Sequence, residues 1–313
     1  MKAPRRAISG VLLVDKGAGL SSNAAVGWAK RLLNAEKAGH TGTLDPFATG
    51  LLPICFGEAA KFARFMLEAE KAYCATLKLG QKSSTGDTEG EIVETRRVSV
   101  DIGTVNAVLS KFKGIQTQIP PMHSALKQGG VPLYKLARRG IEVERAVRNI
   151  NVISLCAVTL RGDELVIETV VSKGTYIRVL AEDIGEALGC GAHLIALRRT
   201  ATGRFGLDQA ITLEALDGMA LEQREAMLLP ADSLALSLTD IHLDDVAAKA
   251  LQNGKTPRVP MFTAPLLDSD DFRIYDEEGR FLGVATASDC DPNGATLTAL
   301  RMMAPLSTGT EKP

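Results

Sequence analysis

The sequence has little of what marks membrane, secreted or metal-binding proteins. No apolar run in its 313 residues approaches the roughly 20 residues that cross a bilayer. The basic N-terminus precedes no apolar signal core, because Asp15 and Lys16 interrupt the following residues. The five cysteines include no C-x-x-C pair, and the four histidines are dispersed, so neither a disulfide framework nor a zinc site is indicated. We therefore expect a cytoplasmic protein without a membrane association or a metal.

Aromatic residues are also scarce, at 4 % of the chain, whereas 45 % of the residues are hydrophobic and 23 % are charged. This composition is typical of a globular protein with a well-buried core. A length of 313 residues favours one large domain with a smaller one.

The net charge of −1 conceals an uneven distribution along the chain. Residues 231–313 carry 7 basic and 13 acidic side chains, whereas residues 1–230 carry 29 basic and 24 acidic ones. Residues 111–148, here called the basic segment, contain eight basic and two acidic side chains. The basic ones are Lys111, Lys113, Lys127, Lys135, Arg138, Arg139, Arg145 and Arg148. Such an excess attracts a nucleic-acid backbone, although a solvated helix face is the alternative.

Apolar periodicity predicts a mixture of helices and strands in the first 235 residues. The pattern indicates strands at 11–14, at 73–79 and within 150–171, and helices at 22–33, around Phe62–Met66, at 102–112 and at 177–188. Residues 81–90 form a polar loop without an apolar anchor. Because the elements lack a regular βαβ alternation, we expect an α+β fold with a mixed, largely antiparallel sheet and flanking helices.

The composition becomes acidic near Pro230, which indicates a domain boundary. Residues 272–275 and 281–284 flank the turn-forming run Asp276–Gly279, and this pattern predicts a hairpin. We therefore expect two domains, residues 1–235 and a small β domain of residues 236–313.

The segment Gly39–Gly50 carries the strongest chemical signal of the sequence. Its three glycines permit unusual dihedral angles and close approach of a ligand. Pro46 stiffens the chain next to Asp45, which suits a carboxylate that must be aimed at a substrate. A helix that begins at Asp45, with Pro46 in its first turn, is the alternative.

The second signal is Ser172–Arg178, where a strand is expected to give way to a helix. At a helix N-terminus, Tyr176 and Arg178 can point into one cleft, and a buried arginine can orient a carboxylate through paired hydrogen bonds. An ordinary structural ion pair is the alternative for Arg178. Tyr73 and His40 are further rings able to stack on a base, although a tyrosine on a strand also suits the margin of a core.

Together these segments resemble the bacterial tRNA pseudouridine-55 synthases. The resemblance rests on Glu36–Leu52, Gly57–Ala59, Lys71–Tyr73, Gly80–Gly90, Pro120–Lys127, Leu133–Gly140 and Ser172–Arg178, and it extends over about residues 10–205. Gly17 departs from the pattern, because the family usually has proline there. The resemblance is weak over the last 75 residues.

The resemblance implies a cofactor-free and metal-free isomerase of the T-loop uridine of tRNA, with residues 1–235 as the catalytic domain and a β-barrel-like RNA-binding domain after it. It implies that Asp45 is the catalytic carboxylate and that His40, Tyr73, Tyr176, Arg178 and Leu197 bind the substrate. We expect the basic segment to grip the T-arm and the protein to be a monomer. Whether Asp45 attacks the ribose, attacks the base or removes a proton stays open. A tRNA-binding folding factor with incidental catalysis and a guide-RNA-dependent enzyme are the alternative functions.

Overall fold

The computed structural model describes residues 4–260 and 270–304. The strands are β1 (Gly10–Lys16), β2 (Ala38–His40), β3 (Thr49–Phe56), β4 (Lys71–Leu79), β5 (Gln81–Ser83), β6 (Ile92–Thr95), β7 (Gly114–Gln118), β8 (Lys127–Gln128), β9 (Val131–Pro132), β10 (Arg148–Arg161), β11 (Glu164–Val171), β12 (Ala192–Thr202), β13 (Phe205–Gly206), β14 (Ile211–Thr212), β15 (Asp240–His242), β16 (Arg258–Val259), β17 (Asp271–Tyr275), β18 (Phe281–Asp291) and β19 (Gly294–Met302).

The helices are α1 (Ser22–Leu32), α2 (Ala63–Glu68), α3 (Ile102–Lys111), α4 (Leu133–Ala137), α5 (Ile177–Ala187), α6 (Leu213–Asp217), α7 (Leu221–Ala226) and α8 (Asp245–Gln252). Short 3-10 helices cover Gly57–Phe62, Leu207–Gln209 and Ala231–Ala235.

Within the described residues, ten strands form one mixed sheet with the path β14-β1-β3-β12-β4-β11-β10-β7, while β2 pairs with β3 and β13 with β12. The β1–β14 and β3–β12 pairs are parallel, and the other pairs of this sheet are antiparallel. The predicted α+β class with a mixed, largely antiparallel sheet is therefore confirmed.

The apolar run of β1 is continuous because both faces of the sheet are covered there. Leu12 and Val14 join the core under α1 and α5, whereas Val11 and Leu13 join the core under the 3-10 helices. Successive side chains of a strand alternate between faces, so this one strand contributes to two cores.

The strand β12 lies in the middle of the large sheet and connects two parts of the chain that are distant in sequence. It pairs with β4 on one side and, in parallel, with β3 on the other. Gly50 of β3 has a φ of +101°, and a Cβ there would lie 2.2 Å from the carbonyl oxygen of Arg199. Only glycine permits this close approach of the two strands.

The structure largely confirms where the predicted helices begin and end. Ser21 caps α1 by accepting a hydrogen bond from the Ala24 N–H, and Gly189 follows α5 with a φ of +80°. The helix predicted around Phe62–Met66 differs in its first half, since Gly57–Phe62 is 3-10 helix and α2 begins at Ala63.

The polar loop predicted at 81–90 is only partly a loop, because β5 occupies its first three residues and pairs with β6. The exposed side chains of β6 gave no amphipathic signal, so backbone pairing rather than burial accounts for this strand.

The acidic C-terminal part forms a separate five-stranded sheet in the order β15-β17-β18-β19-β16. The predicted hairpin is confirmed by the antiparallel pairing of β17 and β18. Phe281 of β18 packs against Phe62, and Val284 belongs to the same core cluster, so this sheet contacts the 3-10 helices of the larger part. The domain boundary at 235/236 stays a prediction, and residues 261–269 and 305–313 of the second predicted domain lie outside the described residues.

Candidate active site

Asp45 lies on an irregular loop between β2 and β3, and no helix begins there. Its two neighbours in the chain are held by buried polar side chains. The Ser22 hydroxyl donates to the Leu44 carbonyl at 2.9 Å and accepts from the Leu44 N–H at 2.8 Å. The Lys16 ammonium donates to the Pro46 carbonyl at 3.3 Å. The capping alternative for Asp45 is therefore wrong, and the loop holds the carboxylate in a fixed position.

Arg178 lies in the first turn of α5 and reaches back to that loop. Its Nε lies 3.1 Å from Oδ2 of Asp45, and its Nη1 lies 3.5 Å from Oδ2 of Asp87. The guanidinium also donates to the carbonyls of Thr85, at 3.1 Å, and His123, at 2.7 Å. Its side chain is only 5 % exposed, so this is a buried network with several donors in use and not a surface ion pair.

The two carboxylates differ in their access to solvent. The Asp87 side chain is 2 % exposed, whereas that of Asp45 is 35 % exposed. Burial raises the pKa of Asp45, Arg178 opposes this rise, Asp87 adds to it, and Lys16 opposes it. One guanidinium between two carboxylates thus keeps Asp45 oriented while leaving part of it open to a ligand.

A cavity of about 340 Å³ lies beside Asp45. Four of the other residues selected from the sequence share its wall with Asp45, namely Tyr73, Tyr176, Arg178 and Leu197. Tyr73 comes from β4, Leu197 from the neighbouring β12, and Tyr176 from the residue before α5. Strands and a helix end that are far apart in sequence therefore present two rings, a leucine, a carboxylate and a guanidinium to one space.

His40 is not one of the residues that line the cavity. Its Nδ1 accepts a hydrogen bond of 3.2 Å from the N–H of Gly42, which does line it. Burial lowers the pKa of His40, and nearby Arg199 lowers it further, so the imidazole is neutral near pH 7. His40 can support the loop from this position, but it does not face the cavity as the other five residues do.

Several buried polar residues of the site gave no separate signal in the sequence. Asp87 lay in a segment that read as a plain polar loop, and its proximity to Arg178 depends on the tertiary fold. Lys71 and Arg199 line the cavity with their charged side chains nearly buried. The Lys71 ammonium donates to the carbonyls of Met66, Leu67 and Ala69, and burial lowers its pKa to about 8.

A second cavity of about 540 Å³ meets the first at Asp45, Arg178 and Ser124. Tyr134 and Arg138 of the basic segment form part of its wall. The Arg138 guanidinium lies over the Tyr134 ring, 5.6 Å from its centroid. The basic segment therefore borders the space around Asp45.

Two further properties of the described residues bear on the type of site. Across residues 4–260 and 270–304, no group of three or more His, Cys, Asp or Glu side chains is placed to hold a metal ion. Over the same residues, no helix has the length and apolar character needed to span a bilayer.

The described residues thus bring an oriented aspartate, a buried arginine and two tyrosines to one cleft on a mixed sheet. Models of known families match most of the chain. Residues 30–177 match the "TruB family pseudouridylate synthase (N terminal domain)", residues 178–235 the "tRNA pseudouridylate synthase B C-terminal domain", and residues 239–291 "Pseudouridine synthase II TruB, C-terminal".

Curated relatives are similar over nearly the whole length. A "tRNA pseudouridine synthase B" of Cupriavidus metallidurans is 52 % identical over 91 % of this chain and 92 % of its own. One of Burkholderia mallei is 49 % identical over 91 % of this chain and 95 % of its own. The chain belongs to the TruB family of pseudouridylate synthases.

Among solved structures, the "Crystal Structure of a Cbf5-Nop10-Gar1 Complex" matches with a TM-score of 0.75 and 28 % identity, covering 95 % of this chain and 85 % of that one. The "Structure of H/ACA RNP bound to a substrate RNA containing 2'-deoxyuridine" matches with a TM-score of 0.72 and 25 % identity, again covering 95 % and 85 %.

Proposed function

We propose that this pseudouridine synthase isomerises the T-loop uridine of tRNA, position 55, and that Asp45 carries the reaction. The conversion of a tRNA uridine to pseudouridine follows from the family and from the curated relatives. The observation that carries the assignment of the site is the Asp45 carboxylate, held at 3.1 Å from Arg178 on the wall of a 340 Å³ cavity.

The reaction replaces the nitrogen–carbon bond between base and ribose with a carbon–carbon bond. The bond between N1 of uracil and the ribose C1′ breaks, the base turns, C5 bonds to C1′, and the proton on C5 is lost while N1 gains one. Whether the carboxylate attacks the ribose, attacks the base or removes a ribose proton, it must be ionised. Arg178 supports that state, and it also prevents the carboxylate from rotating away.

The target base must leave its stack before it can reach Asp45, which costs a few kcal/mol. Stacking on an aromatic ring recovers roughly 1–3 kcal/mol per base, and Tyr73 offers its ring at the cavity wall. Tyr176 and Leu197 complete the walls around the base, while His40 supports the loop through Gly42.

The basic segment holds the T-arm in this proposal. Arg138 and Arg139 are exposed, and Arg138 borders the second cavity next to Asp45. A phosphate backbone attracted to these cations is thus guided towards the cleft. We propose further that the enzyme works as a monomer in the cytoplasm without a cofactor, and that the C-terminal sheet contributes RNA contacts.

The direct test is Asp45→Asn, assayed by tritium release from C5-labelled uridine in a full tRNA transcript. We expect no measurable turnover and tRNA affinity within about threefold of wild type, because asparagine keeps the shape and removes the anion. Appreciable turnover by this variant would contradict the assignment. Mapping the product in the same transcript tests position 55, and a transcript with cytidine there should give no product.

A folding factor that binds tRNA without needing chemistry is not favoured, because a buried guanidinium aimed at a partly open carboxylate has no use in binding a polyanion. The same assay separates the two functions, since only catalysis forms product.

A further inference from the structure

Local contacts hold part of the junction that carries Tyr176 and Arg178. The Thr175 hydroxyl donates to the Ser172 carbonyl at 3.0 Å, and the Tyr176 carbonyl accepts from the Leu180 N–H at 3.1 Å. Tyr176 is the residue before α5, and its side chain makes no capping hydrogen bond. Gly174, two residues earlier, has a φ of +76°, a conformation that adds no rigidity of its own. A strand-to-helix turn of this kind normally depends on Ser, Thr, Asp or Asn at the capping position, so another group must fix the backbone here.

Gln118 supplies that group from the last residue of β7. Its Oε1 accepts a hydrogen bond of 2.8 Å from the Tyr176 N–H, and its Nε2 donates one of 3.1 Å to the Tyr176 carbonyl. The two residues are 58 positions apart in sequence, and Gln118 is 5 % exposed. A side-chain amide that meets both polar groups of one residue acts as a substitute strand partner for it.

The same arrangement occurs on the opposite side of the cleft. There the Ser22 hydroxyl donates to and accepts from the backbone of Leu44, the residue before Asp45. In both places one buried polar side chain hydrogen-bonds to both backbone groups of a single residue, and the Tyr176 carbonyl accepts from the Leu180 N–H as well. These two buried side chains, Gln118 and Ser22, therefore hold the backbone segments that carry the Asp45–Arg178 ion pair.

We propose that Gln118 is a positioning residue for the reaction, acting through Tyr176 and the start of α5. It holds the Tyr176 ring at the cavity wall and keeps Arg178 within reach of Asp45. Gln118 itself lies within the basic segment, at the end of β7. This inference rests on the proposed role of Tyr176 and Arg178 at the site.

Two substitutions separate positioning from folding. Gln118→Met keeps the length of the side chain and removes both hydrogen bonds. Gln118→Glu keeps the acceptor for the Tyr176 N–H but, when ionised, faces the Tyr176 carbonyl with a negative oxygen. When protonated, the same carboxylic acid both accepts and donates, and so restores the pattern of the amide.

The measurements are the single-turnover rate at saturating enzyme, the affinity for tRNA and the thermal unfolding midpoint. For Gln118→Met we expect a rate loss of roughly 10- to 100-fold with tRNA affinity within about threefold, because small displacements of reacting groups have costs of this size. For Gln118→Glu, the rate relative to wild type should rise as the pH falls from 8 to 5.5. Gln223→Met, which removes a side-chain hydrogen bond to the Ala220 N–H at the start of α7, is the matched control and should keep the wild-type rate.

A Gln118→Met rate within twofold of wild type would overturn the proposal, as would a loss confined to tRNA affinity. If Gln118→Met fails to fold, the Glu variant decides, since a ratio to wild type that does not change with pH contradicts a positioning role. Wild-type turnover at another uridine would refute the proposed target, yet the ratio of variant to wild type would still report on Gln118.

Discussion

Two arginine-centred clusters of similar residue types have different surroundings in this molecule. In the cleft, Arg178 contacts Asp45 and Asp87. Between the 3-10 helix Ala231–Ala235 and the C-terminal sheet, Arg273 donates to the Tyr275 hydroxyl at 3.0 Å, and that hydroxyl donates to Asp232 at 2.7 Å. The residue types alone do not distinguish the proposed active site from a cluster that only joins two parts of the chain.

The difference lies in what stands next to the carboxylate. The Tyr275 phenol fills the space between Asp232 and Arg273, and burial together with Asp232 raises its pKa to about 12, so it stays a proton donor. Asp45 instead faces two cavities with about a third of its side chain exposed. In the cluster around Arg273, a tyrosine fills the space beside the carboxylate. In the cleft, the corresponding space is left open for a ligand.

Replacing each arginine in turn is the most direct test of this difference between the two clusters. Arg178→Met should lower the single-turnover rate by about 10³-fold, because Asp45 loses both its orientation and the charge that opposes its raised pKa. Arg273→Met should leave the rate within about threefold and lower the unfolding midpoint by roughly 2–6 °C, since the Tyr275 hydroxyl and the Leu238 carbonyl lose their donor. Rate assays and thermal melts on both variants check this, and a large rate loss in Arg273→Met would contradict the separation.

Substitutions of Tyr73 and Tyr275 should give the next largest effects. The Tyr73 variants should change the rate and the capture of the base, whereas the Tyr275 variant should change the stability. Tyr73→Phe should bind tRNA normally and lose about 10²-fold in rate if the phenol moves a proton at C5. Tyr73→Leu should also lose base capture, by roughly 1–3 kcal/mol. Near-normal turnover by the Phe variant would remove the proton-transfer role.

Tyr275→Phe is the counterpart in the structural cluster. It should keep the rate and lose roughly 1–3 kcal/mol of stability, because Asp232 loses its donor while its Oδ1 already has no hydrogen-bond partner in the structure. Chemical denaturation measures the loss, and an unchanged free energy of unfolding would show that the cluster contributes nothing.

Charge reversal compares the basic segment with the acidic C-terminal part. Arg138→Glu with Arg139→Glu should weaken tRNA binding at least tenfold and flatten its dependence on salt, with a small effect on the bound chemical step. The matched control is Lys255→Glu with Arg301→Glu, two exposed cations of the C-terminal part, for which we expect a smaller loss. Equal losses from both pairs would assign the T-arm to both regions.

The smallest expected effect is on the pH profile. Burial and Asp87 raise the pKa of Asp45, so the wild-type rate should fall as the pH decreases, with a midpoint above that of an ordinary aspartate. Asp87→Asn removes one cause of the rise, and the midpoint should therefore move to lower pH. Single-turnover rates of both proteins between pH 4.5 and 8 measure it, and a shift to higher pH would show that Asp87 supports Arg178 more than it opposes Asp45.

The sequence was informative where local patterns decide the outcome. The strand β1, the helices α1 and α5 with their ends, and the β17–β18 hairpin follow from periodicity and turn residues. The resemblance marked Asp45, Tyr73, Tyr176, Arg178 and Leu197, which the structure brings to one cavity.

Contacts between residues that are far apart in the sequence could not be predicted from local patterns. Asp87 and Gln118 acquire their contacts only when the start of α5 meets the end of β7 and the 85–87 turn. A glutamine at the end of a strand carries no local signal that it will hold a backbone 58 residues away. The site residues stay predictions until the variants are measured, whereas the fold class is confirmed.

The central position of β12 has a consequence for the order in which the molecule forms. On the ribosome, β1 to β3 and β4 to β11 emerge before residues 192–202, and the sheet cannot join its halves until that strand inserts between β3 and β4. Tyr73 and Asp45 belong to different halves, and Leu197 belongs to the joining strand itself. Contacts between residues far apart in the sequence form late in folding. A nascent or partly folded chain therefore contains residues of the cleft before they are assembled, and catalytic activity should appear only when folding is nearly complete.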